Sequence, residues 1–319
     1  MNLLEMSDKK LDVHTGVGLG NFDGLHVGHM SLINTLISES QARNLSSVVY
    51  TFINHPDNVL KGDNFTLLLI PTEKKVDLLR KTELDYLVLD EFSPEFSKLS
   101  PEEFFYNILM DRLNAKLLVA GFDYRFGYKG KGDAELLKSL GRDNGIEVII
   151  IPPVMVDNEI VSSTFIRDYI RAGNIEQANK MLGRYYSVLG NVEKGRQLGG
   201  KLGFPTANIH LDDRFIIPSS GVYITLTKFN GGIYRSITNV GFKPTVEENM
   251  QKANFETHIL DFNNNIYNEK IEVFFLKKIR NEQKFSDLES LKNQVARDIE
   301  KSRRFFARHG GRIFDMCLT

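Results

Sequence analysis

Two histidines spaced three residues apart lie in the glycine-rich segment 20–29, Gly-Asn-Phe-Asp-Gly-Leu-His-Val-Gly-His. An apolar run before this segment predicts a strand, and an amphipathic run after it predicts a helix. Backbone N–H groups at such a helix start bind phosphate, and the helix dipole favours the anion. His26 and His29 would lie on one side of the first turn, and Gly28 leaves room for a phosphate to approach the backbone. The segment therefore indicates group transfer at a nucleotide phosphate.

Spacing alone leaves other interpretations of this segment open. No Gly-Lys-Ser/Thr closes it, so it is not a P-loop of the Walker type. Gly18 and Gly20 begin a dinucleotide-binding fingerprint, but its third glycine position holds Asp23. A strand–helix turn that carries two surface histidines is the simplest alternative.

Two further loops carry side chains that suit a nucleotide site. One contains His55, in the run Thr-Phe-Ile-Asn-His-Pro, and the other is the loop 121–133. That loop offers Asp123, Arg125 and Phe126, followed by a lysine–glycine run. A solvated loop with aromatic anchors is the simpler interpretation of the same residues.

A fourth segment combines hydroxyl groups with a cation. Ser163 and Thr164 open a predicted helix, and Arg167 follows one turn later. Hydroxyls and N–H groups at a helix start bind phosphate, and an arginine clamps it with two hydrogen bonds. Plain N-capping explains the serine and threonine equally well when this segment is considered alone.

The composition is that of an ordinary soluble globular chain. Its 319 residues predict about two domains, with 42% hydrophobic and 25% charged residues. The net charge of −1 gives no indication of a nucleic-acid-binding surface. A single cysteine, Cys317, cannot form an internal disulfide, and no apolar run approaches the ~20 residues of a membrane span. We expect a cytoplasmic protein with no nucleic-acid or membrane partner, and its oligomeric state stays open.

Residues 15–151 alternate predicted strands and helices, which is typical of a doubly wound parallel α/β sheet of Rossmann-like type. The run Ser-Pro-Glu-Glu from Ser100 predicts a capping box at one helix start. Ligands of such sheets bind beyond the carboxyl ends of the strands, so the three loops above are expected at one edge. The expected strands are 15–20, 47–52, 85–89, 116–121 and 146–151.

The pattern changes near Gly183. Two short helices are predicted before it, the second capped by Asn174, and strands without long helices follow. Asn230 and Gly231 predict a hairpin turn, and a final helix is expected to start at Ser286. The second half is therefore a predicted small antiparallel β-barrel with a C-terminal helix, which gives domains 1–183 and 184–319.

Taken together, these motifs resemble a known enzyme family. Gly-Asn-Phe-Asp-Gly-x-His-x-Gly-His with a distal Ser-Ser-Thr-x-Ile-Arg resembles the nucleotidylyltransferase superfamily, and Phe-Asp-Tyr-Arg-Phe-Gly resembles its FAD synthetase branch. Segments 199–208, 221–223, 239–245 and 256–262 look like the riboflavin kinase module. The whole chain is similar to the bacterial bifunctional riboflavin kinase/FAD synthetases. That resemblance implies riboflavin, FMN and ATP as substrates, Mg²⁺ as cofactor, and FMN and FAD as product ligands.

For the first half, the resemblance implies adenylylation of FMN. His26 and His29 would stabilise charge on the α-phosphate of ATP and on the leaving pyrophosphate. Arg167 would act with them as a catalytic cation. The other residues implied at the ATP phosphates are Asn21, Phe22, Asp23, Gly24, Gly28, Ser163 and Thr164. The residues implied on the nucleotide or flavin side are His55, Asp123, Arg125 and Phe126.

For the second half, the resemblance implies phosphorylation of riboflavin. Glu256 would be the general base for the ribityl hydroxyl, and Thr206 and Asn208 would hold Mg²⁺ and the ATP phosphates. The residues implied to bind the kinase nucleotide are Gly200, Lys201, Gly203, Phe204 and Pro205. Without the resemblance, a polar turn and an outward-facing strand residue would explain the same positions.

Three positions depart from the family pattern. Lys201 stands where arginine is usual, Asn54 where proline is usual, and Gly130 where arginine is common. Two other functional classes stay open: an adenylyltransferase whose second domain only binds flavin, and a flavin-responsive regulator that binds RNA. The presence of Thr206, Asn208 and Glu256 disfavours the first class, and the near-neutral charge disfavours the second.

Overall fold

The computed structural model describes residues 1–5, 10–194, 203–244 and 251–313. The chain divides into two compact units, Met1–Ser163 and Thr164–Thr319. The two helices that precede Gly183 therefore cluster with the second unit. The domain boundary at 183/184, predicted from the change of sequence pattern, stays a prediction.

A six-stranded sheet forms the centre of the first unit. Its strands are β1 (Asn2–Glu5), β2 (Thr15–Leu19), β3 (Ser46–Phe52), β4 (Tyr86–Asp90), β5 (Ala115–Gly121) and β6 (Glu147–Ile151). They lie in the order β1-β4-β3-β2-β5-β6, and every adjacent pair is parallel. The structure confirms the predicted doubly wound sheet. The order reverses beside β2, so the carboxyl ends of β2 and β5 flank the point where such sheets bind ligands.

The edge strand β1 was not among the expected strands. Its four residues pair with β4 in parallel register, with Leu3 opposite Leu87. So short a segment has no periodicity of its own, and its extended form depends on the neighbour supplied by the fold.

The helices of the first unit lie between these strands, and the two starts predicted from the sequence, at the segment 20–29 and at Ser100, are confirmed. They are α1 (Val27–Ala42), α2 (Pro56–Lys61), α3 (Thr72–Leu79), α4 (Pro101–Glu103) and α5 (Ala134–Asp143). The capping box at Ser100 is confirmed, because Ser100 Oγ accepts from Glu103 N and Glu103 Oε2 accepts from Ser100 N. Beyond α4 the chain continues as a π-helix, Phe104–Arg112, which the sequence pattern did not predict. A two-residue ladder, β7 (Met155–Val156) with β8 (Glu159–Ile160), completes the unit.

Apolar side chains cover both faces of this sheet. On one face, Val17 and Leu118 pack in a cluster with Phe105 and Leu109 from the π-helix. On the other face, a cluster joins residues of α1 to residues of β3 and β5, namely Ile33, Leu36, Val49 and Leu117. Burial on both faces explains why these strands show runs of apolar residues instead of alternation.

The second unit is a closed antiparallel barrel preceded by two helices, α6 (Ser163–Ala172) and α7 (Ile175–Leu182). Its strands are β9 (Tyr186–Glu193), β10 (Ala207–His210), β11 (Gly221–Phe229), β12 (Gly232–Pro244), β13 (Gln251–Ile259) and β14 (Lys270–Arg280). They close in the order β10-β13-β12-β11-β14-β9, which confirms the predicted barrel. Asn230 and Gly231 both have positive φ, of 47° and 77°, as the predicted tight hairpin requires.

Hydroxyl groups fill part of the barrel interior. Thr225 Oγ1 lies 2.8 Å from Ser236 Oγ and 2.9 Å from Thr238 Oγ1, and Thr238 Oγ1 lies 2.8 Å from Thr257 Oγ1. Thr227 Oγ1 donates to the same Ser236 Oγ at 2.9 Å. Because each group is buried and hydrogen-bonded to another, the network avoids the cost of unsatisfied buried polar atoms.

One predicted helix start was wrong, and one predicted N-cap lacks its side-chain hydrogen bond. The C-terminal helix α8 (Leu288–Ile313) follows Asp287, whose Oδ1 accepts from Ser290 N, whereas Ser286 donates its own hydroxyl to Asp287 Oδ2. At α7, Asn174 is the N-cap residue but makes no side-chain capping bond. Within the described ranges, no helix is long and apolar enough to cross a membrane.

We predict that Thr238→Val destabilises the protein by about 1–3 kcal/mol, because it leaves buried hydroxyls without a partner. Chemical denaturation followed by circular dichroism would measure the change in the free energy of unfolding. Thr257→Val serves as the partner substitution, and the double variant should cost less than the sum of the single variants. Strictly additive costs would show that the two hydroxyls do not share one network.

Candidate active sites

The segment 20–29 forms a tight turn between β2 and α1. Phe22, Gly24 and Leu25 all have positive φ, of 48°, 86° and 41°. A Cβ on Gly24 would lie 2.6 Å from Leu69 Cδ1, so both conformation and space require glycine there. The turn brings the start of α1 to the carboxyl end of β2, as predicted from the sequence.

The structure brings the two histidines together. The rings of His26 and His29 stack with centroids 3.6 Å apart and an interplanar angle of 14°. His26 is the N-cap of α1, and its Nδ1 accepts from His29 N at 3.2 Å. Phe22, fully buried, contacts the edge of the His29 ring. Since His26 is only 6% exposed, the alternative of two surface histidines is wrong.

Side chains from distant segments hold the main-chain carbonyls of this turn. Ser163 Oγ donates to the Asp23 carbonyl at 2.8 Å, and Thr51 Oγ1 donates to the Asn21 carbonyl at 3.0 Å. The buried Asp23 carboxylate accepts from Leu69 N at 3.0 Å. The geometry therefore places Asp23 and Ser163 where they fix the shape of the turn.

Sequence reasoning missed a buried lysine in the same region. Lys75 is 6% exposed, and its Nζ donates to the Asn21 carbonyl at 3.1 Å and to the Phe52 carbonyl at 3.4 Å. Burial lowers the pKa of Lys75 to about 8, and the charge of Asp23 opposes this shift. The available signal was a lysine on the apolar face of α3, beside Val76 and one turn before Leu79.

An aromatic cavity of about 320 Å³ lies next to the turn. Phe126 stacks on Tyr124 with centroids 5.7 Å apart, and Arg125 and Lys129 place cationic groups among the lining residues. Sequence reasoning missed part of the lining, which comes from separate segments: Tyr50, Phe92, Phe96 and Phe104. Planar apolar walls with a few polar groups suit a flat heteroaromatic ring system.

Tyr50, one of the lining residues of this cavity, makes a partly buried hydrogen bond to Asp90. Tyr50 OH donates to Asp90 Oδ2 at 2.6 Å. Burial, with the Asp90 charge, raises the pKa of the Tyr50 phenol, and burial also raises the pKa of the Tyr124 phenol. Both phenols are therefore neutral hydrogen-bonding groups at physiological pH.

Other predicted residues lie apart from this cavity lining. Asp123 is exposed, and His55 caps α2, where its Nδ1 accepts from Asp57 N at 3.2 Å. Thr164 and Arg167 lie on α6 in the second unit, the threonine exposed and the arginine 8% exposed. Their contacts with phosphate stay predictions.

In the second unit, strand register aligns three polar residues on the outside of the barrel. Asn208 on β10 and Asn239 on β12 both lie opposite Glu256 on β13. The neighbouring residue Thr257 points into the barrel, so Glu256 points outward. Asn254 Nδ2 donates to Glu256 Oε1 at 2.8 Å, which orients the carboxylate.

A cavity of about 340 Å³ lies over this outer face. Glu256, Thr206 and Phe204 are among its lining residues, and Asn208 is not. His258 Nδ1 lies 2.8 Å from the Pro205 carbonyl and must be the donor, which holds the chain just before Thr206. Gly203 has a φ of 85°, whereas Gly200 and Lys201 lie outside the described residues.

A buried ion pair joins α8 to the barrel at the same cavity. Arg280 Nε donates to Asp298 Oδ2 at 2.8 Å, and Gln294 Nε2 donates to Asp298 Oδ1 at 2.9 Å. The Asp298 side chain is 2% exposed and the Arg280 side chain 14%. Both residues line the cavity, and sequence reasoning missed both because 18 residues separate the partners.

Comparison with known proteins defines the class of this chain. Residues 8–165 match the family described as FAD synthetase, and residues 182–306 match the family described as riboflavin kinase. The protein is therefore a transferase that makes flavin cofactors.

Curated relatives of this chain match it over nearly its whole length. A bifunctional riboflavin kinase/FMN adenylyltransferase of Buchnera aphidicola is 38% identical over 93% of this chain and 96% of its own length. Its namesake in Escherichia coli is 34% identical over 90% of this chain and 91% of its own length. The chain belongs to the bifunctional riboflavin kinase/FMN adenylyltransferase family. It phosphorylates riboflavin to FMN and adenylylates FMN to FAD.

A solved structure from Streptococcus pneumoniae has the same fold, with a TM-score of 0.88 and 34% identity over 95% of this chain and 99% of that chain. It is described as a macrolide-efflux protein. That description concerns the other protein, whereas both family matches and the relatives above agree on flavin chemistry.

We predict that Asp298→Asn destabilises the second unit by about 3 kcal/mol, because it leaves the mostly buried Arg280 without its carboxylate. Denaturant titration followed by circular dichroism would measure this change. Asp261→Asn is the matched control, since Asp261 forms an exposed ion pair with Arg303 of the same helix and should cost less than ~1 kcal/mol. Equal losses of unfolding free energy in the two variants would show that the buried ion pair stabilises the second unit no more than the exposed pair does.

Proposed function

We propose that the turn 20–29 binds the ATP phosphates during FMN adenylylation and that His26 and His29 stabilise the charge that develops there. The observation that carries this proposal is the stacked histidine pair at the start of α1. In the adjacent turn, the carbonyls of Asn21 and Asp23 accept hydrogen bonds from protein side chains. In this reaction an oxygen of the FMN phosphate attacks the α-phosphorus of ATP, and the bond from that phosphorus to pyrophosphate breaks. Positioned donors favour such a transfer by orientation and electrostatics.

The aromatic cavity next to the turn is the proposed place of the flavin ring. Phe126 and Tyr124 supply stacked faces, and Arg125 and Lys129 supply positive charge for a phosphate. Asp123 and His55 lie outside this lining. They are proposed to contact the nucleotide or the flavin from the loops that carry them. Thr164 and Arg167 are proposed to hold the β- and γ-phosphates, with Arg167 as the catalytic cation.

In the second unit, Glu256 is the proposed general base of riboflavin phosphorylation. It would accept the proton of the ribityl 5′-hydroxyl as that oxygen attacks the γ-phosphorus of ATP and ADP leaves. The outward orientation of Glu256 and its place in the cavity lining support this role. Phe204, Pro205 and Gly203 are proposed to shape the nucleotide side, together with Gly200 and Lys201.

The donor set beside Glu256 fits a magnesium ion. Thr206 offers a hydroxyl and Asn208 an amide oxygen, and Asn208 lies in register with the Glu256 carboxylate. Mg²⁺ takes oxygen ligands and is commonly shared with substrate phosphates. When bound, the ion would neutralise charge on the phosphates, and Thr206 and Asn208 would hold it.

We further propose that residues 1–183 carry the adenylyltransferase and residues 184–319 the kinase, in a cytoplasmic enzyme that acts on small molecules only. Incubation with riboflavin, ATP and Mg²⁺, followed by chromatography of the flavins, tests the two activities, and a parallel reaction starts from FMN. FMN and then FAD from riboflavin is the expected result. FAD from supplied FMN alone would make the second unit a binding module, and Lys201 would be the first position to restore to arginine.

We predict that Glu256→Gln lowers FMN formation from riboflavin by about 100-fold or more, because the amide does not accept the proton. FAD formation from supplied FMN should stay at the wild-type rate, as measured by chromatography. Glu300→Gln, at an exposed site on α8, is the matched control. Loss of both activities in a folded Glu256→Gln protein would contradict the assignment of two separate sites.

We predict the reverse effect for His29→Ala, with FAD formation reduced by about 100-fold and riboflavin phosphorylation unchanged. His29 is a better choice than His26, because loss of the His26 cap would itself destabilise α1 by about 1 kcal/mol. The exposed His14 provides the control His14→Ala. Wild-type FAD formation by His29→Ala would refute a role for this ring in the transfer.

A further inference from the structure

Lys75 contacts the back of the phosphate turn. Its ammonium donates to the carbonyls of Asn21, within the turn, and of Phe52, at the end of β3. The side chain lies on the buried face of α3. Burial of an ammonium group is costly, and here its hydrogen bonds go to main-chain carbonyl oxygens.

These contacts decide which way the turn presents its peptide groups. In a trans peptide the C=O and the following N–H point in opposite directions. Because Lys75 and Thr51 both hold the Asn21 carbonyl, the Phe22 N–H points away from them. Ser163 holds the Asp23 carbonyl, which orients the Gly24 N–H in the same manner. The turn thus has a carbonyl side, which faces the protein, and an N–H side.

A hydrogen bond to the Asn21 carbonyl does not by itself explain why the donor, Lys75, carries a charge. Thr51, a neutral group, already donates to the same carbonyl at 3.0 Å. A buried cation adds a positive potential, which acts over a longer distance than a hydrogen bond in a poorly polarisable interior. Asp23 is a charged neighbour of Lys75, and its carboxylate, which accepts from Leu69 N, offsets part of that potential.

We propose that the Lys75 ammonium is a positioning residue for adenylyl transfer: it fixes the Asn21 peptide and adds positive charge behind the turn that binds the ATP phosphates. As pyrophosphate leaves, negative charge accumulates on the phosphate side, and the potential from Lys75 favours that distribution. The proposal rests on the phosphate-binding role of the turn proposed above. It assigns Lys75 no contact with substrate.

Three substitutions separate charge from hydrogen bonding. Lys75→Met removes both, Lys75→Gln keeps a donor without charge, and Lys75→Arg keeps the charge. For FAD formation from FMN and ATP, we expect Lys75→Met and Lys75→Gln to lower kcat by about tenfold or more while KM for FMN changes by less than about twofold. Lys75→Arg should recover most of kcat. Lys138→Met, at an exposed lysine of α5, is the charge-matched control with wild-type kcat.

The pH profile gives a readout that a purely structural role would not change. Burial lowers the pKa of Lys75 to about 8, so the wild-type kcat for FAD formation should fall as the pH rises through that value. In Lys75→Arg this fall should move to higher pH, because arginine keeps its proton. Riboflavin phosphorylation by the same samples, together with their thermal unfolding, monitors the integrity of each preparation.

Two results would overturn the proposal. One is a folded Lys75→Gln protein with the wild-type kcat, and the other is a fall in kcat near pH 8 that persists in Lys75→Arg. If Lys75→Met does not fold, the comparison of the glutamine and arginine variants still decides between charge and hydrogen bonding. Absence of FAD formation by the wild-type protein would instead refute the proposed function of the first unit.

Discussion

The direction of a few peptide groups is the constraint on which the first unit depends. The carbonyls of Asn21 and Asp23 point into the protein because Thr51, Lys75 and Ser163 donate to them. These donors come from β3, from α3 and from the segment that begins α6, so the shape of the turn depends on segments far from it along the chain.

In the second unit, the closed barrel determines which side chains point inward and which point outward. Its interior is occupied by hydroxyls and aromatic rings, and the cavity lined by Glu256 lies on its outer surface. Alternation along β13 sends Thr257 inward and Glu256 outward, and the register of β10 and β12 sets Asn208 and Asn239 beside that carboxylate. The helix α8 then covers the outer face, tied to β14 through Arg280 and Asp298.

Local signals in the sequence predicted most of the architecture. Apolar runs predicted the parallel strands, Ser100 predicted a helix start, and Asn230 with Gly231 predicted a hairpin. Features that depend on partners far along the chain were missed: the strand β1, the lysine at 75, the Arg280–Asp298 pair and part of the aromatic cavity lining. The start of α8 was misplaced because the stronger acceptor Asp287 competes with its neighbour Ser286. Motif residues were predictable, whereas a buried group that holds the turn in place, Lys75, was not.

The four residues of β1 have a consequence for solubility. They pair with β4 along the register from Asn2–Tyr86 to Glu5–Leu89, which moves the edge of the sheet from β4 to the short strand β1. The apolar residues Leu87 and Val88 would otherwise lie on an edge strand, a template for association with other chains. This protection joins segments about 80 residues apart, a pairing of the kind that forms slowly during folding. A folding chain therefore exposes the edge of β4 until β1 pairs with it.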